Sequence, residues 1–164
     1  MKSMKSIIPV TLIFLLVVLG CGRLKDNISR NSSSFDPYKG SLSELLRPEL
    51  SSLSIKFKLV GTRDTLSEHP GASEAKGFSY TQEGAGVSVQ VDGVLVNFTS
   101  SQEAEKRLRE LAAEVSASVV SKGKWQRFST KDGGTVGWTN GSIMCLVKSQ
   151  FAKPAGNFEE AAPF

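Results

Sequence analysis

An apolar run near the amino terminus constrains this chain more than any other feature. Residues 7–19 are almost entirely apolar, Lys2 and Lys5 precede them, and a segment rich in Ser and Asn follows. The run is shorter than the ~20 apolar residues that a bilayer-spanning helix needs. A charged start, a short apolar run and a small residue at its end are typical of a secretory signal. We therefore expect residues 1–20 to be a signal peptide that is removed and takes no part in the fold.

The end of this run, Val18-Leu19-Gly20-Cys21, resembles the lipobox of bacterial lipoproteins. The resemblance covers nothing beyond Gly22. It implies that the Cys21 thiol receives a diacylglycerol, that the Gly20–Cys21 bond is cut, and that Cys21 becomes the acylated first residue. Several acyl chains such as palmitate anchor a protein firmly, since each buried CH2 contributes about 0.8 kcal/mol.

Two details of the lipobox bear on this interpretation. Leu19 is bulkier than the Ala or Ser that the family most often has there. Gly22 is not the Asp with which Gram-negative cells commonly retain lipoproteins in the inner membrane, so in such a cell the resemblance implies the outer membrane, facing the periplasm. The alternatives are an ordinary cleaved signal followed by an unmodified cysteine, and a transmembrane anchor, which Pro9 and the short run disfavour.

Charge and cysteine content narrow the class of protein further. The whole chain has 20 Lys and Arg and 16 Asp and Glu, so loss of Lys2 and Lys5 leaves 18 against 16. No cluster of Lys and Arg of the kind that binds nucleic acid is present. With Cys21 acylated, Cys145 has no partner for an internal disulfide. The apolar neighbours of Cys145 predict a buried side chain rather than a reactive thiol.

The mature chain is long enough for one domain of ordinary size. Residues 21–40 are polar and lack apolar periodicity, so they are predicted to be a flexible tether. Residues 41–150 are predicted to form a single domain. Residues 151–164, which contain Pro154 and Gly156, are predicted to be a disordered tail.

Two-residue periodicity predicts strands on both sides of a loop at residues 62–73. Ile55, Phe57 and Leu59 alternate with polar residues, and residues 77–82 form the next strand. Residues 87–91 and 94–98 flank Asp92-Gly93, a pair typical of tight hairpin turns. In such a hairpin six apolar residues share one face: Val87, Val89, Val91, Val94, Val96 and Phe98. The alternative is a single bent strand.

A helix is predicted for residues 101–121, with Ser100 as its cap, Glu103 at the capping-box position and Gly123 as its stop. A shorter helical turn is predicted after Ser41. Residues 125–130 are predicted to be a strand, followed by a hairpin that turns at Asn140-Gly141. That turn places Trp138 opposite Ile143 and Val136 opposite Cys145.

These elements predict an α+β fold, an antiparallel sheet built from hairpins with one amphipathic helix packed on one face. Leu95, Met144 and Leu146 are expected on the face opposite the helix. They need cover from residues 42–59, from a second subunit or from a partner, which is the one hint of a binding surface in the sequence.

No set of residues points to catalysis or to a cofactor. His69 is the single histidine of the chain. Because a zinc site needs three or four convergent ligands, no metal site is predicted. His69 is expected to be a solvated loop residue. Cys145 and His69 could act as a nucleophile pair only if the fold joined them. Residues 84–86 precede a strand and predict a turn rather than a phosphate site. Glu159-Glu160 lie in the expected tail, where neither carboxylate is held.

The sequence therefore predicts a non-enzymatic, lipid-anchored protein of the cell envelope. Its domain is expected to bind a protein partner or a second copy of itself, or to support the envelope. Confinement to a membrane would raise the effective concentration of a co-anchored partner. The alternative is a small-ligand carrier in which Trp125 and Trp138 line a pocket, although Trp in strands is more often core. An enzyme would require polar side chains gathered around His69.

Overall fold

A computed structural model describes residues 38–52, 55–83, 88–122 and 125–164. The predicted signal peptide, Cys21, most of the predicted tether, the turn at residues 84–86 and Gly123 lie outside these ranges. The strands are β1 (Glu49–Ser52), β2 (Ile55–Asp64), β3 (Ala72–Glu83), β4 (Val89–Phe98), β5 (Val120–Lys122), β6 (Trp125–Ser129), β7 (Thr135–Asn140) and β8 (Ile143–Ser149). The helices are α1 (Leu42–Leu45), α2 (Ser101–Glu114) and α3 (Ala152–Ala161), with one 3-10 turn at Leu66–Glu68.

Within the described ranges, the eight strands form one antiparallel sheet in the order β1-β2-β3-β4-β8-β7-β6-β5. The α+β class is thus confirmed, but the prediction of one helix on one face is corrected to three helices on two faces. β2 has the predicted alternation, with Phe57 buried. It continues to Asp64 and is followed by the 3-10 turn, so residues 62–73 are not the expected loop.

β4 is one continuous strand and not the predicted hairpin. Gly93 lies in the middle of the sheet, paired with Phe78 on β3 and Val147 on β8, and its φ is not positive. A Cβ at this position would lie 2.4 Å from the Phe78 ring and 2.7 Å from the Leu146 carbonyl oxygen. Gly93 is therefore glycine because an aromatic ring occupies the space, not because a turn requires it.

The missing turn changes which apolar residues share a face, since alternation continues through β4. Val91 and Leu95 lie on the face that carries α1 and α3. The face that carries α2 includes Val94, Val96 and Phe98 of β4 and Met144 and Leu146 of β8. Of the three residues expected opposite the predicted helix, only Leu95 is there.

α2 begins as predicted, with the Ser100 hydroxyl accepting a hydrogen bond from the Glu103 N–H at 3.2 Å. It ends seven residues earlier than predicted, because Ser116 adopts a φ of +53°. The N–H of Ala117 then donates to the Ala112 carbonyl at 2.8 Å, and the N–H of Ser116 to the Ala113 carbonyl at 3.1 Å. This pair of bonds is a Schellman motif, so Ser116 stops the helix and β5 follows.

The β7–β8 hairpin is confirmed, with its turn displaced by one residue. Gly141, with a φ of +61°, and Ser142 are the two turn residues. The corrected pairs are Trp138 with Cys145 and Val136 with Val147, in place of Ile143 and Cys145. Displacing the turn by one residue moves the pairing by two positions, so every side chain keeps its face.

The predicted disordered tail contains α3, which is docked on the sheet. Phe158 is fully buried, and the rings of Phe57, Phe78 and Tyr80 surround it at centroid distances of 5.1 to 5.4 Å. Phe164 is also buried, and its ring stacks on the indole of Trp138. Tertiary contacts thus override the poor helix propensity of this segment.

An ion pair fixes α3 as well. The Nε–H of Arg127 donates to both carboxylate oxygens of Glu159, at 2.7 and 2.8 Å, and the Glu159 side chain is only 13% exposed. These hydrogen bonds raise the pKa of Arg127. Glu159 was expected to be unrestrained, and the structure corrects that expectation. With Leu42 and Leu46 of the amino-terminal segment, α3 covers this face of the sheet from within the chain.

Candidate functional site

α2 covers only half of its face of the sheet. Its buried residues contact a row formed by Ala75, Val96 and Met144 across β3, β4 and β8. Towards the start of β4 the same face becomes polar. We call this region the open half-face. Its exposed or half-exposed residues include Glu49, Ser51, Lys56, Lys58, Ser79, Thr81, Glu83, Gln90, Asp92, Thr135 and Lys148.

Cross-strand pairing arranges these residues in rows, because directly opposed residues of neighbouring strands share a face. One row runs Ser79, Asp92, Lys148, Thr135, and the next runs Lys58, Thr81, Gln90. The side chains of these two rows therefore project from five hydrogen-bonded strands. Their spacing is set by the sheet and not by loops.

Asp92 lies in the middle of the open half-face, and neutral donors already engage it. The Ser79 hydroxyl and the Gln90 side-chain amide both donate to Asp92 Oδ1, the amide at 2.8 Å. Lys148 lies directly opposite Asp92 on β8. Within the described part of the chain, Lys148 makes no ion pair or hydrogen bond through its side chain. Its ammonium group is thus available to an external anion.

A shallow cleft of about 630 Å³ opens where β4 begins and β8 ends. Its lining includes Ser88, Gln90, Asp92, Lys148, Gln150 and Phe151. The Phe151 side chain, immediately before α3, is 55% exposed. An exposed aromatic ring with polar groups around it is typical of the centre of a protein-binding surface.

The chain enters the fold at the opposite end of these strands. The Tyr38 N–H donates to the Ser142 hydroxyl and the Tyr38 carbonyl accepts from the Asn97 side-chain amide, both at 2.8 Å. Ser142 in turn donates to Asn97 Oδ1 at 2.7 Å, and both side chains are buried. Asn97 and Gln90 are seven residues apart on β4, a span of about 24 Å at ~3.4 Å per residue.

The candidate residues from the sequence lie in different surroundings. Cys145 is fully buried on β8, as predicted, and burial, followed by the Glu159 carboxylate, raises the pKa of its thiol well above the usual value. Trp138 is core, as predicted, and Trp125 is half-buried.

His69 is half-buried rather than solvated as expected. Its Nδ1 is buried with no hydrogen-bond partner among the described residues. Burial and then the positive charge of Arg107 lower the pKa of the imidazole, and Glu68 opposes them. In the described ranges, no group of three or more His, Cys, Asp or Glu is placed to hold a metal ion. No helix in those ranges is long and apolar enough to cross a membrane.

Sequence reasoning missed the open half-face. Lys56 and Lys58 were identified only as the polar side of a strand, and Asp92 was assigned to a turn. The alternation of polar residues in β3 and β4 was the available signal. The strand order that brings Lys148 next to Asp92 depends on long-range pairing and leaves no local signal. Comparisons of the chain with protein-family models, with curated proteins and with solved structures gave no significant match.

Proposed function

We propose that this chain is a lipid-anchored, non-enzymatic protein of the bacterial cell envelope, and that its open half-face binds a protein partner. The proposed anchor is acylated Cys21, which becomes the first residue when the Gly20–Cys21 bond is cut. In a Gram-negative cell the proposed location is the outer membrane, facing the periplasm. The observation that carries the proposal is the cleft beside Phe151, at the end of the strands opposite Tyr38.

The position of Tyr38 supports an orientation in which the cleft faces away from the membrane. In this proposal residues 21–37 are the predicted tether that joins the anchor to Tyr38. Because both main-chain groups of Tyr38 are bound by buried side chains, the tether would pull on that end of the domain. The end nearer the membrane would then be the one that holds Asn97 and Ser142. The open half-face would point towards the partner, whose effective concentration is raised by confinement.

The alternative function, a small-ligand carrier, has less support. The carrier hypothesis requires Trp138 as a pocket wall, but its indole N–H donates to the main-chain oxygen of Phe164 at 2.8 Å. Phe57, Tyr80 and Phe158 fill the neighbouring space and are fully buried. Side chains of this chain thus occupy the region between sheet and α3 where an apolar ligand would bind.

Photo-cross-linking in intact cells tests the proposal. A benzophenone amino acid at Gln150, in the cleft, is expected to capture a protein that the same group at Gln102, on the exposed side of α2, does not. Cys21→Ala is expected to remove the chain from the detergent phase and to weaken the Gln150 cross-link, because confinement is lost. The same products at both positions, or continued partition of Cys21→Ala into detergent, would count against the proposal.

A further inference from the structure

The second half of β2 is a sheet edge. β1 pairs with β2 only from Ile55 to Lys58, so none of the described strands pairs with the outer side of residues 60–64. All five of these residues are exposed, and Val60 is 68% exposed. We call residues 60–64 the open edge. Resting on the proposed function, we infer that the protein partner adds an extended segment to the open edge as a further strand of the sheet.

The main chain of the open edge directs donors and acceptors outward. Directly after β2, the Thr65 N–H donates to the Ala75 carbonyl on the β3 side at 3.2 Å. In an antiparallel pair, successive residues direct their N–H and C=O groups alternately towards the partner strand and away from it. The main-chain groups of Asp64 and Thr62 therefore point away from β3, where no described strand receives them. Unpaired main-chain groups of this kind are the template on which an extended chain adds to a sheet.

A bulge at Val60 agrees with this orientation. The Leu59 N–H also points outward, since it donates to the Pro48 carbonyl at 2.8 Å. Leu59 and Thr62 are three residues apart, and strict alternation would turn them to opposite sides. The register of β2 with β3 shifts between Leu59 and Gly61, so Val60 is the extra residue that reconciles the two. The bulge also lies where the cover by β1 ends.

The charges of the open edge are balanced within the chain. Arg63 Nη1 pairs with Glu68 at 3.1 Å, and Lys76 Nζ pairs with Asp64 Oδ2 at 3.4 Å. The open edge therefore offers no unpaired charge by which to select a ligand. What it offers is main-chain hydrogen bonding and the exposed side chain of Val60. The segment that fits is extended and places an apolar side chain next to Val60.

The open edge adjoins the open half-face, which is why we assign both to one partner. Gly61 lies directly opposite Ser79, Ser79 opposite Asp92, and Asp92 opposite Lys148. Asp92 and Lys148 line the cleft. β8 is three strand spacings from β2, a distance of about 14 Å at ~4.8 Å per spacing. A partner seated on the open half-face thus reaches the open edge with a neighbouring segment of its own chain.

A second copy of this chain fits the open edge less well. Antiparallel pairing of two identical edges relates the copies by a half-turn about an axis normal to the sheet. Their Tyr38 ends would then point in opposite directions, whereas the proposed anchor draws every copy to one membrane by that end. Five residues a side are also few beside the about 20–30 of a stable interface. The occupant is therefore a segment of another protein, for which the edge is one part of a larger contact.

The test uses the full-length, membrane-anchored chain in intact cells, with the benzophenone amino acid at Gly61, where a Cβ meets nothing within 4 Å. It is expected to capture the same protein as the benzophenone at Gln150. Thr62→Pro removes the outward N–H, at an edge position of the kind that tolerates proline. This variant is expected to lower the yield about five- to tenfold. The matched control is Thr62→Val, which keeps the N–H and should change the yield less than about twofold.

Urea unfolding of the two Thr62 variants shows whether the fold is kept. If Thr62→Pro does not fold, Val60→Ser decides the matter, because Val60 is 68% exposed. Loss of its apolar contact is expected to lower the yield about two- to threefold.

Four results would overturn the inference and leave the proposed function intact. These are equal yields for Thr62→Pro and Thr62→Val in folded protein, or an unchanged yield for Val60→Ser where Thr62→Pro does not fold. The others are capture at Gly61 of a protein other than the one captured at Gln150, including a second copy of this chain, and no capture at Gly61. No capture at Gln150 would overturn both.

Discussion

Truncation of Phe158 tests the docked carboxyl-terminal segment, the largest departure of the structure from the sequence-based expectation. Phe158 is fully buried, and three aromatic rings lie within 5.4 Å of its centroid. Replacing a buried Phe by Ala typically costs about 3–5 kcal/mol, because apolar contacts are lost and a cavity remains. Domains of this size have total stabilities of about 5–15 kcal/mol. We therefore expect Phe158→Ala to lose at least about a fifth of the free energy of unfolding.

The assay is urea unfolding, followed by circular dichroism and by tryptophan fluorescence. Fluorescence is informative because Trp138 is bonded to the main chain of Phe164 and stacks on its ring. The matched control is Glu160→Ala, an exposed position on the same helix, which should change stability by less than about 0.5 kcal/mol. A Phe158→Ala loss no larger than that of the control would refute the docking of α3.

Three further predictions concern single positions. Gly93→Ala should destabilise the domain by about 1–3 kcal/mol through overpacking. The control is Gly61→Ala, which should not destabilise it, because a Cβ there meets nothing within 4 Å. Equal urea midpoints for the two variants would contradict this prediction. Ser116→Gly should stabilise the domain by about 0.5–1 kcal/mol, because glycine adopts the positive φ at the end of α2 without strain. An unchanged or lower melting temperature would argue against the Schellman motif. The pKa of His69 is lowered in the folded state, so the unfolded chain binds the proton more readily and stability should fall as the pH decreases below about 6.5. Urea titrations at two pH values should show a smaller decrease for His69→Gln, and an equal decrease would contradict the prediction.

The sequence predicted elements whose signals are local. The cap of α2 lies at Ser100, as the capping-box pattern predicts. In the turn before β7, Gly133 has a positive φ, which glycine adopts without strain. Asp132 accepts from the Thr130 hydroxyl and from the Gly134 N–H there, and these bonds lower its pKa. Each of these features is set by residues only a few positions apart.

The failures arise where distant residues decide the structure. Asp92-Gly93 has the composition of a turn, but Gly93 is placed by the ring of Phe78 on the next strand. α3 contains Pro154 and Gly156 and has no side-chain cap, so its sequence predicts no helix. It is held by Phe158 and by the Arg127–Glu159 pair, whose partners lie far away in the chain. The open half-face was missed for the same reason, since strand order creates it.

We propose that acyl chains on one cysteine hold this domain against a membrane. The decisive measurement is mass spectrometry of the mature amino terminus, isolated from the membrane fraction. We expect a first peptide that begins at Cys21 and carries a diacylglycerol on its sulfur. An unmodified peptide, or one that begins at any other residue, would contradict it.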